Sequence, residues 1–276
     1  MFQNKTIIQK IKQTLHYNLL LFIVLLSSSS FSQEEKINFY KLEIPKILNK
    51  DFIINHTGYS LSYNEKYKQA NWVAYELTKE KTNTSVKRAN KFTKDPMIKT
   101  QSADDEDYKK SGYDRGHLAP AADMKWSETA MKESFYYSNM SPQIPGFNRG
   151  IWKQAEELVR NWAKEYGKIY IATGPVFSDQ MKSIGHNEVA VPTKYYKVIL
   201  RCNDNECFAI GFIIPNESSK EPLESFTVSI DSVEKSTGID FFPSLPDTIE
   251  NQVESKFYLK EWNWKTPKSK KKNKNQ

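Results

Sequence analysis

The run Tyr113-Asp114-Arg115-Gly116-His117-Leu118-Ala119-Pro120-Ala121-Ala122 gathers residue types that could act on a phosphate. The proton affinity of the His117 imidazole lies near neutrality, which suits a group that must take a proton from water. Arg115 offers a planar fork of donors that matches two phosphate oxygens. Asp114 can hold a neighbouring backbone or side chain, and Gly116 permits a close approach to the main chain. A lone histidine after a glycine is weak evidence, and its neighbours are what raise it.

A second constellation opens at Asn148, where the sequence predicts the start of the best helix in the chain. Glu156 and Arg160 follow on that helix. At 3.6 residues per turn they are rotated by about 80° and 120° from Asn148 and by about 40° from each other. One broad face thus presents an amide oxygen, a carboxylate and a guanidinium. Ile151, Ala155, Leu158, Val159, Trp162 and Tyr166 form the apolar stripe on a different side, and Gly167 ends the helix. Spacing alone leaves two readings open, because Glu156 and Arg160 at i,i+4 could equally be a surface pair.

The remaining elements must position these groups. Residues 53–63 and 72–77 read as strands, and 79–111 as a long polar excursion broken by Pro96. Ser127 caps a short helix through Phe135, with Glu128 in its first turn. Lys168–Ala172 is a strand running into Thr173-Gly174-Pro175. Residues 196–200 and 208–212 form a hairpin whose tip carries Cys202 and Cys207, the expected partners of a disulfide in an oxidising compartment. Phe226–Ile230 is a further strand, and Asp231–Thr237 a short helix closed by Gly238. Strands outnumber helices without a regular βαβ alternation, which predicts an α+β fold with a mostly antiparallel sheet flanked by helices. No internal repeat or linker divides residues 40–262, so one domain is expected.

Composition narrows the setting. With 38% hydrophobic and 26% charged residues, the chain can fold around a core. Lys5, Lys10 and Lys12, an apolar run over 19–26 and small residues before position 33 read as a signal segment over 1–32, and place the protein outside the cell or in a periplasm. The apolar run is too short to span a bilayer, so no stable membrane association is expected. The formal charge is +7, but the signal segment and six lysines in a basic tail over 265–276, expected to be disordered, supply the excess, leaving 33–264 at −2. Attraction to a polyanion must therefore come from local clusters rather than from overall charge.

With these residues in place, the chain resembles the DNA/RNA non-specific endonucleases of the ββα-metal type. Asp114-Arg115-Gly116-His117-Leu118 and Ala122 carry the likeness first. It continues through Trp126-Ser127, Phe135, Ser138-Asn139-Met140-Ser141-Pro142-Gln143, Asn148, Trp152, Glu156 and Arg160. Asn71–Tyr75, Arg88 and Asp95-Pro96 upstream are similar to the family's first part. Thr173–Phe177 and 191–198 downstream resemble its later strands, so the likeness covers most of 53–245. Within the family the chain looks especially like the endonuclease G branch.

The resemblance implies a secreted or periplasmic endonuclease domain over 33–264 that hydrolyses DNA and RNA without reading sequence. It implies His117 as general base and Asn148 as the one protein ligand of Mg²⁺, with Mn²⁺ as a substitute. Glu156 is then expected to order water around the ion, and Arg88 and Arg160 to bind phosphate where charge develops. Arg115 would bind phosphate or brace its loop. Relatives of this kind are often dimers, which leaves a homodimer open. Two alternatives remain: a noncatalytic nucleic-acid-binding protein, which would have no use for His117 and Asn148, and a phosphodiesterase acting on another phosphoester. Three features stand outside the match. His56 and His186 read as structural or surface residues. The acidic run Asp104-Asp105-Glu106-Asp107 reads as a solvated loop or, more sharply, as a gate that repels substrate.

Overall fold

Alternation of side chains along two long central strands builds the molecule from the inside. The computed structural model describes residues 39–48, 51–203 and 206–265; the expected signal segment, and the expected tail apart from Lys265, lie outside them. In chain order the elements are β1 (Phe52–Asn55), β2 (Ser60–Asn64), β3 (Gln69–Thr78), α1 (Lys79–Thr82), α2 (Asp105–Tyr108), β4 (Asp114–His117), α3 (Glu128–Glu133) and β5 (Met140–Gln143). A π-helical turn over Phe147–Trp152 leads into α4 (Lys153–Tyr166). Then come β6 (Lys168–Val176), β7 (Lys182–Ile184), β8 (Val189–Val191), β9 (Lys194–Cys202), β10 (Cys207–Pro215), β11 (Thr227–Val228), α5 (Ile230–Thr237) and α6 (Asp247–Ser255).

Seven strands form one sheet in the order β1-β2-β3-β6-β9-β10-β11, and every neighbouring pair is antiparallel. In β9, Tyr195 and Ile199 face one layer while Tyr196, Val198 and Leu200 face the other, as the period of two requires. The first layer receives Ala155, Leu158, Val159 and Trp162 of α4. Each large apolar side chain buried there contributes about 1.5–3 kcal/mol, which fixes the helix that carries Glu156 and Arg160. The second layer receives Ile230 and Val233 of α5, Val253 of α6, and Phe241, Phe242 and Leu245 between them. The α+β class and the antiparallel core are as expected.

Several boundaries differ from the sequence expectation, each for a local reason. Residues 53–63 form a hairpin rather than one strand, since the chain turns at His56–Tyr59, where His56 N–H donates to the Tyr59 carbonyl at 2.8 Å. A Cβ on Gly58 would collide with the Met124 thioether, so the turn packs closer than any other residue allows. The helix capped by Ser127 ends at Glu133 rather than at Phe135. The strand expected over 226–230 shrinks to Thr227–Val228. Helix α6 was not foreseen. The cysteine hairpin agrees with expectation, because Cys202 and Cys207 face each other in register and form a disulfide.

His56 is structural, as expected. Its Nε2 meets Asp95 Oδ2 at 2.8 Å in a buried pair. Asp95 also accepts from the Ser138 hydroxyl at 2.6 Å and from Met97 N–H at 2.9 Å.

Candidate active site

Strand β4 pairs antiparallel with β5, placing His117 opposite Met140 and Asp114 opposite Gln143. The chain leaves His117 under tight control. Leu118 N–H donates to the Asn139 carbonyl at 3.0 Å and Ala119 N–H to Asn139 Oδ1 at 2.9 Å. Asn139 Nδ2 in turn donates to the carbonyls of Ala119 and Ser134, and Trp152 Nε1 donates to the His117 carbonyl at 3.4 Å. The space a side chain would need at Gly116 is filled by Gln143. The close approach that glycine permits is therefore made by the protein itself.

The His117 ring is buried, edge-on to Phe135 at 4.8 Å and tilted against Phe92 at 5.9 Å. Among the described residues its Nε2 has no hydrogen-bond partner. Burial, reinforced by the positive charge of Arg88, pushes its pKa down to about 3. The imidazole is thus neutral at neutral pH.

Asn148 sits in the π-helical turn, a distortion that recurs at functional sites. Gly150, with φ −103° and ψ −112°, breaks the helix between Asn148 and α4. The angles drawn from one continuous helix therefore hold for Glu156 and Arg160 but not for Asn148. Asn148 Nδ2 donates to Asp114 Oδ2 at 2.9 Å. A carboxylate can only accept, so this bond fixes which end of the amide is turned away and presents Oδ1 as a hard oxygen donor. Arg149 clamps the same carboxylate through Nε at 2.8 Å and through Nη2.

Glu156 and Arg160 are not simple partners. Arg160 Nη1 donates to Asp123 Oδ1 at 2.7 Å, and the Tyr75 hydroxyl donates to Asp123 Oδ2 at 2.7 Å. Burial raises the Glu156 pKa against the opposing pull of Lys197, Arg160 and Arg88. Lys197 is itself fully buried, donates to the Thr173 hydroxyl at 3.1 Å and lies 4.6 Å from the Trp152 ring centre. Burial lowers its pKa, while Glu156 and Asp123 act to raise it. A network of buried Asp123 and Lys197 with half-buried Glu156 and Arg160 thus backs the site, and sequence reasoning missed Asp123 and Lys197. The signal for Lys197 was its place in the alternation between Tyr195 and Ile199, on a face that otherwise carries only core residues.

The two remaining arginines separate. Arg88 is exposed, stacks over Phe135 at 5.0 Å and forms no ion pair with the described residues. Its charge is felt by both His117 and Glu156. Arg115 stacks over Phe92 at 4.5 Å, and its Nη1 is bound to Asp105. Of the two roles open to Arg115, bracing its loop is the one its contacts satisfy.

The acidic run is solvated in part, as expected, at Asp105 and Glu106, whereas Asp104 and Asp107 are built into the fold. Asp104 caps α2, and Asp107 returns the bond in a capping box. Asp107 is buried and accepts from Asn187 N–H at 3.0 Å and from Asn187 Nδ2 at 2.8 Å. Asp105 holds Arg115 and the Tyr137 hydroxyl, and Asp104 pairs with Lys94 at 3.2 Å. His186 is exposed beside Asp104 and Asp107, in keeping with the surface reading.

An antiparallel hairpin that runs into a helix, with an imidazole on its first strand and an amide oxygen at the helix entrance, has the arrangement of a ββα-metal fold. Residues 43–248 match the pattern described as DNA/RNA non-specific endonuclease, and this chain belongs to that family. It is 39% identical over 213 residues to Nuclease C1 of Cunninghamella echinulata var. echinulata, covering 71% of this chain and 84% of that protein. It is 35% identical over 203 residues to mitochondrial endonuclease G of Homo sapiens, covering 68% of each. A chain of the solved EndoG/EndoGI complex superposes with a TM-score of 0.70 at 34% identity, covering 76% of this chain and 91% of that one. The protein is accordingly a nuclease with a metal-binding catalytic site. Among the described residues no helix is long and apolar enough to cross a membrane.

Proposed function

We propose that this nuclease is secreted or periplasmic, depends on Mg²⁺, and hydrolyses the phosphodiester bonds of DNA and RNA without sequence preference, using His117 as general base. The unpartnered, buried Nε2 of His117 carries this reading. A neutral imidazole whose Nε2 has no partner among the described residues leaves a lone pair open to water. The negative charge of a bound phosphate would offset the burial and the Arg88 charge that lower its proton affinity.

The donors near Asn148 suit a hard cation. Asp114 turns the Asn148 oxygen outward, and Glu156 adds a carboxylate without introducing sulfur or nitrogen ligands. Asn148 would hold the ion directly, and Glu156 would accept hydrogen bonds from its surrounding water. Mg²⁺, or Mn²⁺ in its place, supplies positive charge to the phosphate and to the leaving 3′-oxygen when bound.

The protein's own steps follow from its side chains. Arg88, with no ion pair to give up among the described residues, binds a non-bridging phosphate oxygen. Arg160, anchored through Nη1 to Asp123, stabilises charge as it builds on phosphorus. His117 Nε2 removes the proton from the attacking water, oxygen joins phosphorus, and the 3′-oxygen leaves with the electron pair of the broken bond and takes a proton from solvent. Contacts restricted to phosphate and sugar carry no base information, which supports action on both polymers.

The proposed domain spans residues 33–264, between a signal segment over 1–32 and a basic tail over 265–276. The Cys202–Cys207 disulfide supports an oxidising compartment. The decisive experiment incubates purified protein with plasmid DNA and with structured RNA, in Mg²⁺ and in excess chelator, beside His117→Ala and Asn148→Ala. Metal-dependent loss of both polymers, absent in both variants, is the expected result. Cleavage that survives in His117→Ala would remove the proposed base.

A further inference from the structure

On the face of the sheet opposite α4, helices α5 and α6 bring five carboxylates together. The carboxylate oxygens of Asp231, Glu234 and Glu254 lie within 4.8 Å of one another, as do those of Asp240, Glu250 and Glu254. Glu254 belongs to both groups. Glu254 is buried, with only 8% of the residue exposed, and its Oε1 has no hydrogen-bond partner among the described residues. Acidic clusters at a surface need no ligand, but a buried carboxylate oxygen without a donor is costly.

Local compensation is small. Lys46 Nζ reaches Asp240 Oδ2 at 2.9 Å, an exposed pair at the rim. Phe241 N–H donates to Glu234 Oε1 at 2.8 Å. Among the described residues no cation pairs with Glu254, and it sits in the last turn of α6, where the helix dipole is negative and disfavours an anion. Burial, then repulsion from Glu234, Glu250, Asp240 and Asp231, pushes the Glu254 pKa up to about 9. Burial and its acidic neighbours push Glu250 up to about 6.

We propose that this cluster is a second cation site, separate from the catalytic one, which takes Ca²⁺ at Glu254 and ties α5 to α6. The donors are all oxygen, as hard cations require. Opposite oxygens in a Ca²⁺ shell stand about 4.6–5.2 Å apart, so groups within 4.8 Å can share an ion without rearrangement of the helices. Ca²⁺ also accepts the irregular geometry that two helices and a turn provide. The site stabilises the back layer, in which Val233 and Val253 pack near the ligands, and plays no part in the chemistry at His117.

The test uses the full chain carrying Asn148→Ala, so that the catalytic ion cannot contribute. Melting is followed at pH 7.5 in chelator and in 10 mM Ca²⁺, with ionic strength matched by NaCl. A site of Kd near 10⁻⁴–10⁻³ M raises Tm by about 3–11 °C. Adding Glu254→Gln abolishes the shift, and calorimetric titration of Ca²⁺ loses its binding heat. With a pKa of about 9 the Glu254 carboxyl is already neutral in chelator at pH 7.5, so Glu254→Gln keeps its shape and neutrality and folds there as well as its parent. Asp240→Asn with Glu250→Gln provides the same test from the other side of the cluster and weakens Ca²⁺ binding at least tenfold. No shift in the Asn148→Ala chain would mean that the cluster holds only a proton, and would overturn the proposal. So would a shift that NaCl reproduces, or one that persists in Glu254→Gln. An equal shift and affinity with Mg²⁺ would overturn the choice of Ca²⁺.

Discussion

Asp114 and Asn148 are joined by one hydrogen bond of 2.9 Å that runs from the amide Nδ2 to a carboxylate oxygen. Because the acceptor cannot donate, the amide has one stable orientation, and its oxygen is the atom offered to a cation. Asp114→Asn removes that discrimination, since the new amide can pair with either end of Asn148. The expected result is a 10- to 100-fold loss of kcat/KM at low Mg²⁺. Activity is partly restored at high Mg²⁺, because the ligand is misoriented rather than missing. A Mg²⁺ titration of activity checks this, and a loss that no Mg²⁺ concentration relieves would assign Asp114 another role.

The buried His117 makes stability depend on pH in a defined direction. Its folded pKa of about 3 lies below the unfolded value near 6.5. Between those values the unfolded chain binds the proton and the folded chain does not, so stability falls as pH drops from 6.5 toward 3. A difference of one bound proton gives a slope of at most about 1.4 kcal/mol per pH unit. Urea unfolding of wild type and His117→Gln at pH 7, 6, 5 and 4 should show the shallower decline in the variant. Parallel declines would mean that other groups carry the acid sensitivity.

Lys197 is expected to hold the Glu156 pKa at about 7 and prevent a further rise. Burial alone raises the Glu156 pKa, and the Lys197 ammonium is the strongest influence opposing it. Lys197→Met conserves much of the buried stem and removes the charge. The Glu156 pKa then rises further, the acid limb of the kcat/KM profile moves to higher pH, and activity at pH 7 falls by about tenfold or more. A merely structural lysine would lower Tm and leave the profile where it was.

Legibility in the sequence followed the range of the interaction. His117, Asn148 and Arg160 stood in contiguous motifs, and the antiparallel core was visible because alternation is local. Asn148's relation to Glu156 was misjudged because a regular helix was assumed, and the π-helical turn with its break at Gly150 has no simple periodic signature. Asp123 was hidden for another reason. Its partners Tyr75 and Arg160 are distant in sequence, and an isolated aspartate after two alanines has the composition of any loop. Helix α6 was lost among polar residues, since Val253 is its one buried apolar side chain.

The two arginines beside the aromatic ring pair Phe92 and Phe135 should behave differently although both resemble phosphate ligands. Arg88 has an exposed guanidinium without an ion pair among the described residues, whereas Arg115 is already bound to Asp105. A phosphate contact releases counterions, so Arg88→Ala should raise KM and reduce the slope of log KM against log salt by about 1. Arg115→Ala should leave that slope unchanged. Its effect should appear as a lower Tm, because Asp105 and the Phe92 face lose their partner. Steady-state cleavage of one DNA duplex from 50 to 200 mM salt separates the two. Equal slopes for Arg88→Ala and wild type would remove Arg88 from the substrate, and a reduced slope for Arg115→Ala would show that Asp105 releases Arg115 when nucleic acid arrives.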